Sequence, residues 1–202
     1  MRSLVSGCIS TLSERFNSER FAALSANVTW GSKSAPYFFG GSMSISFYEI
    51  DPKYINYLAP HEPLLFHNAK PGQANTRKYI GVIFQVGNFS YFAPLSSFKP
   101  KHAKMKESID FLKVGRYAVI DINNMFPVPN GVAKRVDFSN VSDPAYRNLL
   151  LAEYRIIKKR QNLITKNAQI VYNLKITAPN NPISKRCNDF KLLEQLCQNY
   201  QP

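Results

Sequence analysis

The chain reads as an α+β protein, a small and mostly antiparallel sheet with helices laid on it. Three observations carry this. Residues 79–95 are two strand-like runs, YIGVIFQV and FSYFAPL, on either side of Gly87-Asn88, a two-residue hairpin signal. Residues 116–122 and 132–138 repeat that composition around a segment rich in Asn and Pro. From Ser142 onward the apolar spacing lengthens from two to near 3.6, the helical period.

Taken in order, residues 1–42 differ in character from the rest. They are rich in Ser, Ala and Gly, close on Phe39-Gly40-Gly41-Ser42, and read as an extension ahead of a domain at 43–202. Residues 44–50 (SISFYEI) form a strand. Asp51-Pro52 then starts a short helix, with a capping carboxylate followed by proline at its first position. Tyr54, Ile55 and Leu58 give that helix an apolar face, and Pro60 ends it. Residues 60–76 read as a long loop carrying His61 and His67. After the central hairpin, whose Pro94 marks a strand end or edge, Ser96 and Ser97 lead into a basic connector at 99–113. Tyr146, Leu149, Leu150, Ile157 and Ile164 mark a long helix or a helix pair. A last helix begins near Asn188 or Asp189 and shows Phe190, Leu193, Leu196 and Cys197.

With 202 residues, 45% apolar and 19% charged, the chain can build a core. Its formal net charge is +13, and all but four of its 26 Lys and Arg residues lie beyond Met43, so the partner expected is a polyanion. No basic amphipathic helix stands apart from the core pattern, and no membrane partner is expected. Cys8, Cys187 and Cys197 lack disulfide or zinc spacing, which suits a reducing cytoplasm. The box before Cys8 is not read as a lipoprotein signal. There is no Gly-rich phosphate loop, and carboxylates are sparse, so neither a cofactor nor a metal is expected.

A basic protein can still cut RNA without a metal, because RNA carries its own nucleophile in the 2′-hydroxyl. The protein must align that hydroxyl, move two protons and stabilise a crowded phosphorane. Ser96, Ser97, Lys99 and Arg77 are the right residue types, and His102 titrates near neutral pH. Serines after a strand are also ordinary turn chemistry, and Lys99, Lys101, Lys104 and Lys106 are also an ordinary solvated face. Residue chemistry alone stops at a basic domain that binds nucleic acid.

Several stretches narrow this reading. FYEIDPKYINYL (47–58), YIGVIFQV, YFAPLSSFKPKH (91–102), MKES (105–108), INNMFPVP (122–129) and CNDFKLLEQLC (187–197) resemble, in order, the ToxN/AbiQ family, including its CptN- and TenpN-like members. These are endoribonuclease toxins of type III toxin–antitoxin systems. The resemblance implies a compact, twisted, barrel-like antiparallel sheet similar to the MazF/Kid-like fold. It also implies metal-independent RNA cleavage leaving a 2′,3′-cyclic phosphate and a 5′-hydroxyl. The family's serine falls on Ser97, its hydroxyl neighbour on Ser96 and its lysine on Lys99. Its second basic residue falls on Arg77, with Lys78 adjacent as the alternative, and His102 keeps the family spacing. A tyrosine that some members place upstream finds Gln73 at that spacing. The implied inhibitor is a repeat-derived pseudoknot RNA in a closed toxin–RNA assembly, with a role in phage defence. Lys70, Lys78, Lys101, Lys104, Lys106, Arg155, Lys158 and Lys159 are the candidate RNA contacts.

Overall fold

A computed structural model describes residues 45–65 and 77–201. The expected extension at 1–42, and His67, Lys70 and Gln73 in the long loop, lie outside the described residues. The described chain builds seven strands: β1 (Ser46–Ile50), β2 (Tyr79–Val86), β3 (Phe89–Ser97), β4 (Phe111–Val114), β5 (Ala118–Asp121), β6 (Phe126–Pro127) and β7 (Ala133–Arg135). Its helices are α1 (Pro52–Leu58), α2 (Pro100–Lys104), α3 (Pro144–Lys159), α4 (Gln161–Thr177) and α5 (Phe190–Asn199).

Every strand pair is antiparallel, in the order β4-β5-β3-β2-β1-β7, with β6 also paired to β3. The α+β reading holds. Where a barrel-like sheet was expected, the sheet is open, ending at β4 and β7. Strand β3 is its centre. One edge takes β2, and the other is shared by β5 and β6, separated by a single 3₁₀ turn at Ile122–Asn124. That turn lets the chain from Ala118 to Pro127 follow β3 along most of its length.

Two local expectations change, and one open alternative is decided. The connector at 99–113 holds helix α2 and most of β4, because Pro100 opens a helical turn and Phe111, Leu112 and Val114 are buried. The run at 132–138 pairs over only three residues, and with β1. The long C-terminal helix is a pair, α3 and α4, joined at Arg160, whose N–H closes α3 on Ile156 and Ile157. Asp51, Asp143 and Asp189 cap α1, α3 and α5, as residues of that type do.

The sheet separates two apolar layers. Phe47, Ile80, Tyr91, Ala93, Leu95, Leu112, Ala118 and Ile120 pack with Leu150, Ile157, Ile164 and Val171 of α3 and α4. On the other side Tyr79, Phe92 and Phe126 pack with Tyr54, Ile55 and Leu58 of α1 and Leu193 of α5. Buried Glu194 of α5 accepts bonds from the Tyr91 and Tyr172 hydroxyls, both at 2.8 Å, and from Lys191 at 2.8 Å. A buried carboxylate is tolerable only with partners of this kind.

Gly81 of β2 lies under the Phe92 ring, and a Cβ there would run into it. Gly81→Ala is therefore expected to cost about 1–3 kcal/mol in urea unfolding, the usual range for overpacking. Phe92→Leu in the same chain should recover part of that loss, because the two sites touch. Unchanged stability of Gly81→Ala would contradict this packing.

Candidate active site

The C-terminal end of β3 is held on both sides. Leu95, Ser96 and Ser97 pair with Ile120, Val119 and Ala118, and the Phe98 N–H donates to the Tyr117 carbonyl at 2.9 Å, one rung further. On the other edge the Leu95 N–H donates to the Lys78 carbonyl at 2.9 Å. Side chains alternate along an extended strand. Ser96 therefore shares a face with Val119 and Asp121, whereas Ser97 shares one with Ala118 and Leu95.

On the first face the geometry is a relay. Arg77 Nη1 donates to Ser96 Oγ at 2.9 Å, and Ser96 Oγ donates to Asp121 Oδ2 at 3.2 Å. Burial raises the Asp121 carboxyl above its ordinary value, opposed by the Ser96 hydroxyl, His102 and Arg77. The Ser96 proton is directed at a carboxylate and its oxygen at a guanidinium, so this hydroxyl is committed to the relay. Sequence reasoning missed Asp121. Its signal was a lone acid ending an apolar strand, AVID, where an unpaired carboxylate would be costly.

Alternation also separates Arg77 from Lys78. Arg77 lies with Ser96, whereas Lys78 is buried on the other face, paired with Glu49 and 5.8 Å from the centre of the Tyr146 ring. Of the two basic candidates, the structure brings only Arg77 to Ser96.

Ser97 is exposed, and its hydroxyl has no hydrogen-bond partner among the described residues. Lys99 follows in extended backbone (φ −120°, ψ 158°) and is exposed too. The loop is closed by His102. Its N–H donates to the Lys99 carbonyl at 2.8 Å, and its Nδ1 accepts the Lys99 N–H at 3.1 Å. The ring is buried, edge-on to Phe98 and Phe111 at 5.6 and 5.8 Å. Nδ1 as acceptor assigns the proton of the neutral ring to Nε2. Burial and neighbouring Lys101 lower its pKa from 6.5, opposed by Asp121.

Lys101, Lys104 and Lys106 are exposed around α2, as are Arg155 and Lys159 on α3; Lys158 is half-buried. Arg160 does not share in that surface. It bridges both Glu107 oxygens, at 2.8 and 3.2 Å, and donates to the Lys113 carbonyl at 2.8 Å. Among the described residues, no three His, Cys, Asp or Glu side chains gather as a metal site would require. No described helix is long and apolar enough to cross a membrane.

The profile of a toxin family, described as toxin ToxN of the type III toxin–antitoxin system, matches residues 46–198. An endoribonuclease ToxN of Bacillus thuringiensis subsp. kurstaki is 30% identical over 77% of this chain and 84% of its own. An endoribonuclease AbiQ of Lactococcus lactis subsp. lactis is 25% identical over 75% of this chain and 87% of its own. Among solved structures, AbiQ, a lactococcal anti-phage endoribonuclease, superposes with TM-score 0.69 at 23% identity, covering 78% of this chain and 98% of that one. A type III toxin selectively inhibited by a non-coding RNA pseudoknot gives TM-score 0.67 at 28% identity, again over 78% and 98%. With the match running from β1 into α5, over Arg77 and the strand end that holds Ser96 and Ser97, this chain belongs to the ToxN toxin family of type III toxin–antitoxin systems.

Proposed function

We propose that this endoribonuclease cuts RNA by transesterification, using the exposed end of β3 and the loop after it. The RNA 2′-oxygen attacks the adjacent phosphorus while the bond to the 5′-oxygen breaks. The products are a 2′,3′-cyclic phosphate and a 5′-hydroxyl. The attacking hydroxyl loses one proton and the leaving oxygen gains one; no metal is required by this scheme. Ser97 donates to a non-bridging phosphate oxygen, and the Lys99 ammonium offsets the charge that builds there. The observation that carries this reading is the division of the two serines. Ser96 is committed to Arg77 and Asp121, while the adjacent Ser97 is exposed and unpartnered among the described residues, beside Lys99. Arg77 and Asp121 then fix the strand end as positioning residues. His102 closes the loop rather than carrying a proton, since its Nδ1 is occupied and its pKa is lowered.

The catalytic domain in this reading is 43–202, with 1–42 an extension, acting in the bacterial cytoplasm in phage defence. Its inhibitor is a repeat-derived pseudoknot RNA that the toxin itself trims, held in a closed toxin–RNA assembly. The relative inhibited by an RNA pseudoknot and the net charge of +13 support this. Lys101, Lys104, Lys106, Arg155 and Lys159 would meet phosphates, so affinity should fall steeply with salt.

Ser97→Ala is expected to lower cleavage by roughly a hundredfold or more, the cost of one transition-state donor, while RNA binding persists. Assays of wild type and variant in EDTA, with the new ends mapped, read this directly. Intact RNA with wild-type protein, despite salt-sensitive binding, would replace the enzyme with a binding module.

Asp121→Asn should leave binding intact and slow cleavage about tenfold, because a misplaced strand end costs alignment. A rate equal to wild type would remove Asp121 from the site.

His102→Gln keeps an acceptor for the Lys99 N–H and should keep most of the cleavage, whereas His102→Ala should lose both cleavage and stability. Because the folded His102 pKa lies below 6.5, the unfolded chain binds more protons just below that pH. The stability from neutral His102 is then full above 6.5 and is lost as pH falls toward the folded value. His102→Gln should show a weaker loss of stability on acidification. A well-folded His102→Gln without cleavage, and without one limb of the pH–rate profile, would make His102 a proton carrier.

A further inference from the structure

The turn between β4 and β5 contains an aromatic side chain that the proposed chemistry does not use. Among the described Phe and Tyr residues Tyr117 alone is exposed, at 45%. Most of the others pack into or against one of the two layers, and Phe98 and Phe111 pack on His102. A ring left in water beside a site offers a ligand both an apolar face and a polar tip.

Its backbone is fixed from two directions. The Tyr117 N–H donates to the Val114 carbonyl at 3.1 Å, and its carbonyl accepts the Phe98 N–H at 2.9 Å. Phe98 lies between Ser97 and Lys99, so the last rung of the ladder sets Tyr117 across from the residue that joins them. The next residue, Ala118, is the cross-strand partner of Ser97. Gly115, at φ +58°, makes the turn, and a Cβ there would come within 3.2 Å of Ile156 and 3.6 Å of the Tyr117 ring. The turn thus lies against Ile156 of α3, and the exposed Arg116 directly precedes Tyr117 in the chain.

An exposed ring on a backbone fixed opposite Phe98, with Arg116 beside it in the chain, has the character of a base-stacking platform. Every nucleobase has a π-face, and proteins that grip single strands combine aromatic platforms with basic surroundings in this way. In-line attack also requires the nucleotide at the scissile phosphate to be held in one orientation. We propose that Tyr117 stacks an unpaired base next to the scissile phosphate. This rests on the reading of Ser97 and Lys99 given above.

The test uses the full chain and a short single-stranded RNA spanning a mapped cut, in versions with one abasic nucleotide at successive positions. Tyr117→Ala should lower kcat/KM about tenfold or more, in line with stacking losses at such platforms, while Tyr117→Phe stays near wild type and both melt at the wild-type temperature. One abasic position beside the cut should reproduce the Tyr117→Ala loss in wild type and add nothing to it in Tyr117→Ala. The same RNAs titrated into Ser97→Ala and into Ser97→Ala/Tyr117→Ala read the stacking without cleavage, and so test Tyr117 even if Ser97 is not catalytic. Three results would overturn the inference: wild-type kinetics and binding for Tyr117→Ala, equal damage from Tyr117→Phe, or losses that add at every abasic position.

Discussion

Strand β3 must have both edges paired, and the rest of the sheet follows from meeting that requirement. Its interior residues from Tyr91 to Leu95 are buried, and a buried backbone group without a partner would cost as much as a lost hydrogen bond. Strand β2 satisfies one edge through the hairpin. The other edge needs two short strands, β5 and β6, from a distant stretch, with a 3₁₀ turn between them. Pairing on both sides also fixes which way each side chain leaves the strand. The separation of Ser96 from Ser97 is thus a property of backbone register, and the chemistry proposed at that end inherits it.

That register explains what could and could not be read beforehand. The hairpin, the Asp-Pro helix start and the change of period at Ser142 were legible because each is local. Gly87-Asn88 turns whatever surrounds it, and a helix repeats its own pattern. Strand β4 was hidden inside a basic connector, since four residues interrupted by Lys113 carry too little periodicity to stand out. The partner of β7 was also hidden, because nothing near Ala133 names β1. At the site, Ser97, Lys99 and Arg77 could be singled out by type and by resemblance. The choice between Arg77 and Lys78 could not be made, because a shift of one residue reverses the face. Asp121 and Tyr117 were missed for the same reason. Each is placed by long-range pairing, Asp121 bonding Ser96 and Tyr117 bonding the Phe98 N–H.

Charge is managed differently around β4 and along α2. Arg186 binds Asp110 through two hydrogen bonds, at 2.5 and 2.9 Å, and with Ser108 holds its carboxyl below the usual range in spite of burial. Arg160 spans Glu107 and the Lys113 carbonyl in a similar way. These basic residues are occupied in joining the β4 region to the helices and the C-terminal segment. The lysines of α2 stand in water instead, where a phosphate can meet them with little loss of protein contacts.

The Glu194 carboxylate has a consequence for the order of assembly. It reaches the Tyr91 hydroxyl across 103 residues of sequence. Closing a loop of that length costs entropy before any contact repays it. The β2–β3 hairpin, whose turn closes across two residues, has no such delay. The central strand therefore takes shape early, and its tyrosine waits for an acid delivered by the last helix. Until that helix docks, the Tyr91 and Tyr172 hydroxyls have no carboxylate to bond.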